Sequence, residues 1–402
     1  MPLSSKYWYM ISSAINDPDI TEQTNLIKLN GNSYPEYDLY RFNEAVDLQW
    51  ENYRSDGSGS PAHPDFTTLQ NGRGYLYRNL DDYTITISGV LNTGMINDDY
   101  SLSYHGTLDK NDNQFKGFNI IGNPYPHSIK KGDGEAIPNT LLEEDYYVLT
   151  EEGGFISAND GDLIAPMTGI FVQAKSNANG EYLEISDIAV PASEVYPNEP
   201  EAKIGRNGDN SMWFTVSNSQ YRDRACVKFK KGHGLNKIAH LNENAPMLYI
   251  NYNGEDFASV DMSKDVKSIK LNFDAKTTGY YTLSMKSDGE FDYIHLIDRL
   301  TGDDIDMLQE EEYTFIGSAS DNADRFLVKL SPSTGSGTGL ETFAWQNGND
   351  IIVNGNGELQ VFDVMGRMVA TRHINGVQTI NLTQTGVYIF RLEGKTQKII
   401  VR

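Results

Sequence analysis

Apolar and polar residues alternate along many short stretches of the chain, and clusters of Gly, Asn, Asp, Ser and Pro separate these stretches. In one stretch Ile269, Leu271 and Phe273 alternate with polar residues, and the alternation is clearest in residues 84–91. A period of two places successive side chains on opposite faces of a strand, so each stretch predicts a half-buried β-strand. Stretches with the period of a helix are nearly absent. The pattern therefore predicts an all-β protein.

The predicted strands fall into three groups, which we interpret as tandem β-sandwich domains of jelly-roll or immunoglobulin-like type. The first domain, residues 1–195, has predicted strands at 7–12, 37–42, 74–78, 83–91, 100–104, 117–121, 146–149, 169–174 and 182–185. The second domain, residues 196–335, has predicted strands at 212–217, 225–230, 247–252, 266–273, 279–286, 293–298, 312–316 and 325–330. A flexible linker at 331–339 precedes a small C-terminal immunoglobulin-like sandwich at 339–402.

The C-terminal segment is the part of the chain whose pattern points to a function. It contains short apolar runs, rich in β-branched and aromatic residues, at 359–369, 386–392 and 395–402. The first run is interrupted by Met365-Gly366, at the place where a two-residue hairpin turn requires a positive φ. Glycine adopts that conformation without steric cost, so a β-hairpin is predicted there.

At these positions the chain resembles the C-terminal sorting domains of type IX secretion cargo in Bacteroidetes. The residues that carry the resemblance, and that would form the sorting signal, are Gly366, Arg367, Gly386, Tyr388, Lys398 and Arg402. The resemblance implies export across the outer membrane by the secretion machinery, with the domain removed as the cargo is attached to the cell surface. The alternative is a last β-sandwich domain with ordinary turn glycines.

The formal net charge of the chain is −23. This charge argues against nucleic acid and against an anionic membrane surface as partners, because both require basic patches. The sequence also has no transmembrane run, so membrane insertion is not predicted. Residues 338–402 have six basic and five acidic side chains, so the preceding residues carry −24. The C-terminal segment is thus a compositionally separate unit, and the acidic body can keep a surface protein soluble.

The N terminus lacks the basic and apolar regions of a signal peptide. An exported protein needs such a segment, so we interpret the chain as a fragment whose natural start lies upstream of Met1. The single cysteine, Cys226, excludes an intramolecular disulfide framework, and its alternating surroundings predict a strand residue rather than a reactive thiol.

Motifs of catalysis are absent from the sequence. The seven histidines are scattered without zinc-ligand spacing, and the chain has neither a nucleophile elbow nor a phosphate-binding loop. Glycoside hydrolysis needs only two carboxylates across a cleft, and a sequence with many acidic residues cannot exclude such a pair. No cofactor is predicted. Carboxylate-rich turns at 109–113, 159–162 and 303–306 can hold Ca²⁺ through oxygen ligands, but none matches the twelve-residue calcium loop and turn chemistry is the favoured explanation.

Aromatic residues supply the candidate ligand contacts, which are Trp8, Trp50 and Tyr125. Trp and Tyr offer flat faces to sugars or proteins, and in β-sandwiches the same residues fill the core. Tyr125 lies in the motif 118–126, where Gly122, Asn123 and two prolines predict a rigid corner after a buried strand. This corner can serve structure alone or contact a ligand through Tyr125 and His127.

Together these patterns predict a noncatalytic adhesin-like or structural protein at the outer-membrane cell surface or outside the cell. Its partners would be the secretion machinery and an extracellular protein or glycan. The alternative is a carbohydrate-binding or accessory region of a larger secreted hydrolase, and a third class is an enzyme within residues 1–195. A helical C terminus continuous with the preceding core, or a deep cleft lined by converging ionisable groups, would contradict the noncatalytic interpretation.

Overall fold

A computed structural model of the chain describes residues 2–4, 7–20, 37–45, 49–53, 66–79, 82–97, 99–105, 115–158, 161–190, 210–289, 291–332, 343–347, 350–382 and 384–401. These residues form 28 β-strands and no α-helix. The predicted all-β class is therefore confirmed. None of the described residues forms a helix long and apolar enough to cross a membrane.

Strand pairing divides the chain into three groups, of which the first covers residues 2–174. Its strands are β1 (Pro2–Leu3), β2 (Tyr9–Ile11), β3 (Tyr37–Phe42), β4 (Trp50–Asn52), β5 (Tyr75–Asn79), β6 (Tyr83–Thr84), β7 (Phe118–Gly122), β8 (Ile129–Lys130), β9 (Leu142–Leu149), β10 (Phe155–Ala158), β11 (Leu163–Ile164) and β12 (Gly169–Ala174). Two antiparallel four-stranded sheets, β2-β5-β3-β4 and β10-β9-β12-β7, form most of this group.

The two sheets of the first group pack face to face. Phe42 of β3 and Phe171 of β12 meet edge to face, with their ring centroids 4.7 Å apart. Single bridges between Ile11 and Thr168 and between Arg73 and Ile121 also join the sheets. Alternating side chains of both sheets therefore bury one another, which is the arrangement of a β-sandwich.

The second group covers residues 211–332. Its strands are β13 (Ser211–Ser217), β14 (Arg222–Lys228), β15 (Gly234–Asn236), β16 (Met247–Tyr252), β17 (Glu255–Asp261), β18 (Ser268–Asp274), β19 (Gly279–Ser287), β20 (Phe291–Asp298), β21 (Asp304–Asp306), β22 (Glu312–Gly317) and β23 (Phe326–Pro332). They form one sheet of eleven strands, in the order β21-β20-β23-β18-β16-β17-β14-β13-β19-β22, with β15 also paired to β17. Strands β18 and β22 are distant in this order, yet the ring centroids of Phe273 on β18 and Phe315 on β22 lie 5.2 Å apart. The sheet therefore folds over a single core.

The third group covers residues 344–401 and has its own core. Its strands are β24 (Ala344–Asn347), β25 (Asp350–Asp363), β26 (Met368–Ile380), β27 (Gly386–Leu392) and β28 (Lys395–Val401). The strand order is β24-β25-β27-β28, and β26 pairs with β25 in a long hairpin. Buried side chains from all five strands, including Ala344, Leu359, Ile374, Phe390 and Val401, pack together. The C terminus is therefore sheet rather than helix, as predicted.

Contacts between the groups differ in extent. Leu235 and Ile238 of the second group share a buried cluster with Phe118, Tyr147 and Phe155 of the first. Among the described residues, the buried cluster that joins the second and third groups is small, with Ile352 of β25 packed against Ile297 and Leu327. The first two groups thus share a core, whereas the third is built mainly on its own.

Three predicted strands of the first domain are wrong. The stretch 83–91 is a strand only at Tyr83–Thr84, and the stretches 100–104 and 182–185 make isolated bridges instead of ladders. Some of their apolar residues, such as Ile85, Leu102 and Leu183, are nevertheless buried, whereas Val90, Leu91 and Tyr182 are exposed. Alternating burial can arise in irregular backbone, and so the pattern alone overstated the strands there. The assignment to jelly-roll or immunoglobulin-like topology and the three domain boundaries stay predictions.

Candidate functional site

The two predicted ligand tryptophans, Trp8 and Trp50, are half-buried against the shared core of the first two groups. The Trp8 ring lies 5.8 Å from the ring of Tyr40, and the Arg78 guanidinium covers it at 5.6 Å. The Trp50 ring meets Phe42 edge to face at 5.1 Å. Neighbouring protein side chains already pack against both indole rings. This favours the interpretation that the two tryptophans fill the core over the interpretation that they bind a ligand.

Tyr125, the third predicted ligand contact, has no exposed surface. Its hydroxyl lies 2.7 Å from the carbonyl oxygen of Gly94 and 2.6 Å from that of Ile185, and its ring stacks on His127. Asn123 is equally buried and donates through its side-chain amide to the carbonyls of His127 and Ile164. The corner therefore has a structural role. The burial of Tyr125 does not support the interpretation that this residue contacts a ligand.

A hairpin joins β25 and β26 at the predicted place, but four residues, 364–367, separate the two strands, so the predicted two-residue turn is wrong. Gly366 has a φ of 78°, and the Arg367 guanidinium lies 2.7 Å from the carboxylate of Asp363. The backbone N–H groups of Arg367 and Met365 also donate to this carboxylate, and these hydrogen bonds together with the Arg367 side chain lower the pKa of Asp363. Asp363 and Gly366 thus close the turn, which leaves the guanidinium at the surface.

The other predicted signal residues are spread over the last two strands. Gly386 begins β27, and the nearby Tyr388 is buried with its hydroxyl donating to the carbonyl of Gln384. Lys398 on β28 is exposed, and Arg402 lies outside the described residues. Strand register nevertheless brings the described signal residues to the end of the sheet that holds the hairpin tip, because Asp363 lies opposite Tyr388 and Gly386 lies opposite Val401. The tip also exposes the apolar side chains of Val364, Met365, Met368 and Val369.

A cleft of about 560 Å³ opens between the first and second groups. Its lining consists of Tyr104, Lys116, Glu143, Glu144, Asp145, Gln173, Ala174, Lys175, Ser176, Asn177, Lys228, Gly232, His233, Gly234, Asn236, Glu255 and Asp261. Strands β9 and β12 position the residues of the first group, and β14, β15 and β17 position those of the second. The cleft therefore exists because the two groups share a core beside it.

An ion pair between the groups forms one wall of the cleft. The Lys228 ammonium lies 2.5 Å from Asp145 and 3.6 Å from Glu144, and both Lys228 and Asp145 are buried. Burial acts to lower the pKa of Lys228, but Asp145 outweighs burial and raises it. Lys230 pairs with Glu144 from the same side. These two lysines are thus occupied by carboxylates of the first group.

The opposite wall is built around His233, which is mostly exposed. Its two ring nitrogens lie 4.0 Å from Glu143 and 3.7 Å from Glu255, distances too long for hydrogen bonds. Burial raises the pKa of Glu143, and the negative charge of Asp261 adds to the effect. Burial also raises the pKa of Asp261, against the opposing influence of Lys230. Glu143 and Asp261 are therefore carboxylates whose charge the surroundings only partly compensate.

Two glycines allow the backbone of this wall to pack closely against strand β17. A Cβ on Gly232 would lie 1.9 Å from the Asp261 carboxylate, and a Cβ on Gly234 would lie 2.2 Å from the carbonyl of Ser259. Gly234 has a φ of 126°, which disfavours any other residue. Gln173 and Asn236 complete the lining by pairing across the groups, with the Gln173 amide donating to the Asn236 side-chain oxygen at 2.6 Å.

Ionisable side chains converge in this cleft, but the cleft is open rather than deep, since the side chains of His233 and Glu255 are more than half exposed. Its residues come from segments as distant as Tyr104 and Asp261, so no local motif could indicate it. The nearest thing to a local signal is Gly232-His233-Gly234, because glycines beside a polar residue permit a close approach of backbone. Perturbed carboxylates in a cleft at a domain junction are the usual marks of a binding or catalytic site.

The remaining predictions concern metals and the thiol. In the ranges that the structure covers, no group of three or more His, Cys, Asp and Glu residues could hold a metal ion. The turn 109–113 lies outside the described residues, whereas in the turn 303–306 Asp303 and Asp304 contact Tyr313 and His295. Cys226 is fully buried and burial raises its pKa well above the usual value, in keeping with an inert strand residue.

Comparison of the chain with family models, with curated proteins and with solved structures finds no match.

Proposed function

We propose that the protein is a noncatalytic cell-surface or secreted protein whose third strand group acts as a type IX sorting and attachment signal. The first two groups would form the displayed body, which holds an extracellular protein or glycan. The observation that carries this proposal is the structural independence of the third group. A sorting domain that is removed after export must fold independently of the cargo.

Two features of the third group support this role. Its five strands bury their own core, and the buried cluster that reaches the body is formed by Ile352 against Ile297 and Leu327. Cutting the chain before Phe343 would therefore expose little of the body's core. Its near-neutral charge also contrasts with the acidic body, as expected for segments with different partners.

The hairpin tip between β25 and β26 offers a surface for recognition. Val364, Met365 and Met368 are 72%, 78% and 55% exposed, next to the surface guanidinium of Arg367. Exposed apolar side chains beside a fixed charge are typical of protein contact sites. The secretion machinery is the partner that the resemblance of the tail implies.

The alternative, a carbohydrate-binding or accessory region of a larger secreted hydrolase, is favoured by the cleft between the first two groups. Both proposals place the body outside the cell and differ in what precedes it along the gene. A catalytic domain encoded upstream of Met1 would favour the alternative, and further β modules would favour a surface adhesin.

Deletion of residues 386–402 tests the sorting proposal. The full chain and the deletion variant are each given the same export leader and are produced in a host with type IX secretion. The proposal predicts surface display of the full chain and periplasmic retention of the variant, measured by cell fractionation and surface labelling. Equal surface display of the two proteins would contradict it, and a protease-resistant body in both would exclude misfolding as the cause of retention.

A further inference from the structure

We propose that the cleft between the first and second strand groups binds a neutral oligosaccharide. The inference concerns the body of the protein and deepens its proposed role in holding an extracellular partner, but it does not depend on the tail. It also moves the predicted glycan site away from Trp8, Trp50 and Tyr125, whose rings are occupied or buried.

The place and size of the cleft are those of a ligand site. Its volume of about 560 Å³ lies within the range of roughly 300–1,000 Å³ common for small-molecule pockets, which occur preferentially at domain interfaces. The lining is fixed, because the ion pair of Lys228 with Asp145 and the hydrogen bond of Gln173 with Asn236 both join the two strand groups. Because the side chains of the site are already held in place, ligand binding does not incur the entropy cost of ordering them.

The mixed chemistry of the lining favours a saccharide over a cationic peptide. Carboxylates such as Glu143 and Asp261 can accept hydrogen bonds, while side-chain amides such as Asn177 can also donate them. A sugar hydroxyl both donates and accepts, and so it can bond to either kind of group. A lysine or arginine side chain would instead meet Lys116 and Lys175, which line the same cleft.

Tyr104 supplies the apolar surface that the lining otherwise lacks. Its half-buried ring lines the cleft beside Lys116, whose ammonium is 5.5 Å from the ring centroid. An aromatic ring with a polar tip suits a ligand that has both C–H faces and hydroxyl groups. Glu143 and Asp261 would then accept hydrogen bonds from the ligand hydroxyls. These hydrogen bonds would stabilise the negative charges of the two carboxylates, which burial partly removes from water.

An array of neutral oligosaccharides, with lysine-rich peptides printed beside them, tests the proposal on the full chain. Four variants are compared with the wild type. Glu143→Gln removes an acceptor charge, Tyr104→Ala removes the ring, and Ser176→Trp places a bulky side chain on an exposed rim position. Glu152→Gln is the matched control, because Glu152 is an exposed glutamate that does not line the cleft. Far-ultraviolet circular dichroism establishes that each variant is folded.

We expect the wild type and Glu152→Gln to bind the same oligosaccharide, and the three cleft variants to bind it about tenfold or more weakly in calorimetric titrations. Hydrolysis of the bound oligosaccharide would support the site and contradict the noncatalytic proposal. The inference is overturned if no oligosaccharide binds, if lysine-rich peptides bind instead, or if folded Ser176→Trp and Glu143→Gln keep wild-type affinity. Loss of binding in a further variant, Trp8→Ala, with wild-type affinity kept in the three cleft variants would also overturn it.

Discussion

The ammonium group of Lys228 lies 2.5 Å from the carboxylate of Asp145, although the two residues belong to different strand groups and are 83 positions apart. Both side chains are more than nine-tenths buried. An ion pair removed from water in this way holds its partners in one geometry, because a displaced partner would be a buried charge without compensation. The pair therefore fixes the first two groups to each other and shapes the cleft beside it.

Replacing Asp145 with Ala should destabilise the body strongly. Lys228 would remain buried with only Glu144, 3.6 Å away, so the loss in the free energy of unfolding should be about 3–5 kcal/mol. Urea denaturation measures this loss. Asp274→Ala is the control, since Asp274 and Lys276 form a pair of the same length that is about one-third exposed. That variant should lose about 1 kcal/mol or less, and equal losses in the two variants would contradict the role of the buried pair.

A second buried carboxylate, Asp223, should make the second group sensitive to acid. Burial works to raise the pKa of Asp223, but Lys237, His240 and the backbone N–H of Leu248 outweigh it and hold the pKa at about 2. A pKa below the usual value means that ionised Asp223 stabilises the folded state at neutral pH. This stabilisation is lost as the pH falls from about 4 towards about 2.

Asp223→Asn tests this assignment. The variant should be less stable than the wild type at about pH 7, because Lys237 would be left as a buried charge, and the loss should be about 3–5 kcal/mol. The difference between the two proteins should shrink as the pH approaches about 2. Urea denaturation over this pH range provides the measurement, and a difference that does not change with pH would refute the linkage.

Removing the hydroxyl of Tyr125 should weaken the corner of the first group. Tyr125→Phe leaves the carbonyls of Gly94 and Ile185 without this donor, at a cost of about 1–3 kcal/mol. Tyr182→Phe should change stability by about 0.5 kcal/mol or less, because the Tyr182 side chain is exposed. Thermal unfolding compares the two variants. If Tyr125 is purely structural, Tyr125→Phe will also keep any oligosaccharide affinity of the wild type, and a selective loss of binding would restore its role as a ligand contact.

The hairpin of the tail depends on the backbone of Gly366. Its φ is 78°, and a Cβ there would meet no atom within 4 Å, so Gly366→Ala costs only backbone strain, about 1–2 kcal/mol. Hydrogen exchange should become faster in β25 and β26. Gly279→Ala, at an equally open position without a positive φ, should leave exchange in its own strands unchanged. Unchanged exchange in the hairpin would show that the turn tolerates a side chain.

Much of the fold could be predicted from the sequence because strand burial follows the period of two. In β18, Ile269, Leu271 and Phe273 are buried while the residues between them are more exposed, as the alternation indicates. Strand β17 could not be predicted, because it begins with Glu255 and Asp256 and pairs in parallel with β14. Such a pairing depends on contacts between distant segments.

The sites were predicted less well, for a related reason. The tail motif is local, so the hairpin at Gly366 could be placed from a few neighbouring residues. The cleft joins Tyr104, Glu143 and His233, and only the shared core of the two groups brings them together. Aromatic composition pointed instead to Trp8 and Trp50, because a sequence shows a tryptophan but not the side chains that cover it.

Transfer of the tail to an unrelated passenger tests the central claim most directly. Residues 333–402 are joined to a fluorescent protein that carries an export leader, and surface fluorescence is measured in a host with type IX secretion and in the same host lacking it. Surface fluorescence is expected only in the competent host. A passenger that stays in the periplasm of both hosts, although its tail is folded, would contradict the claim that this strand group is an export signal.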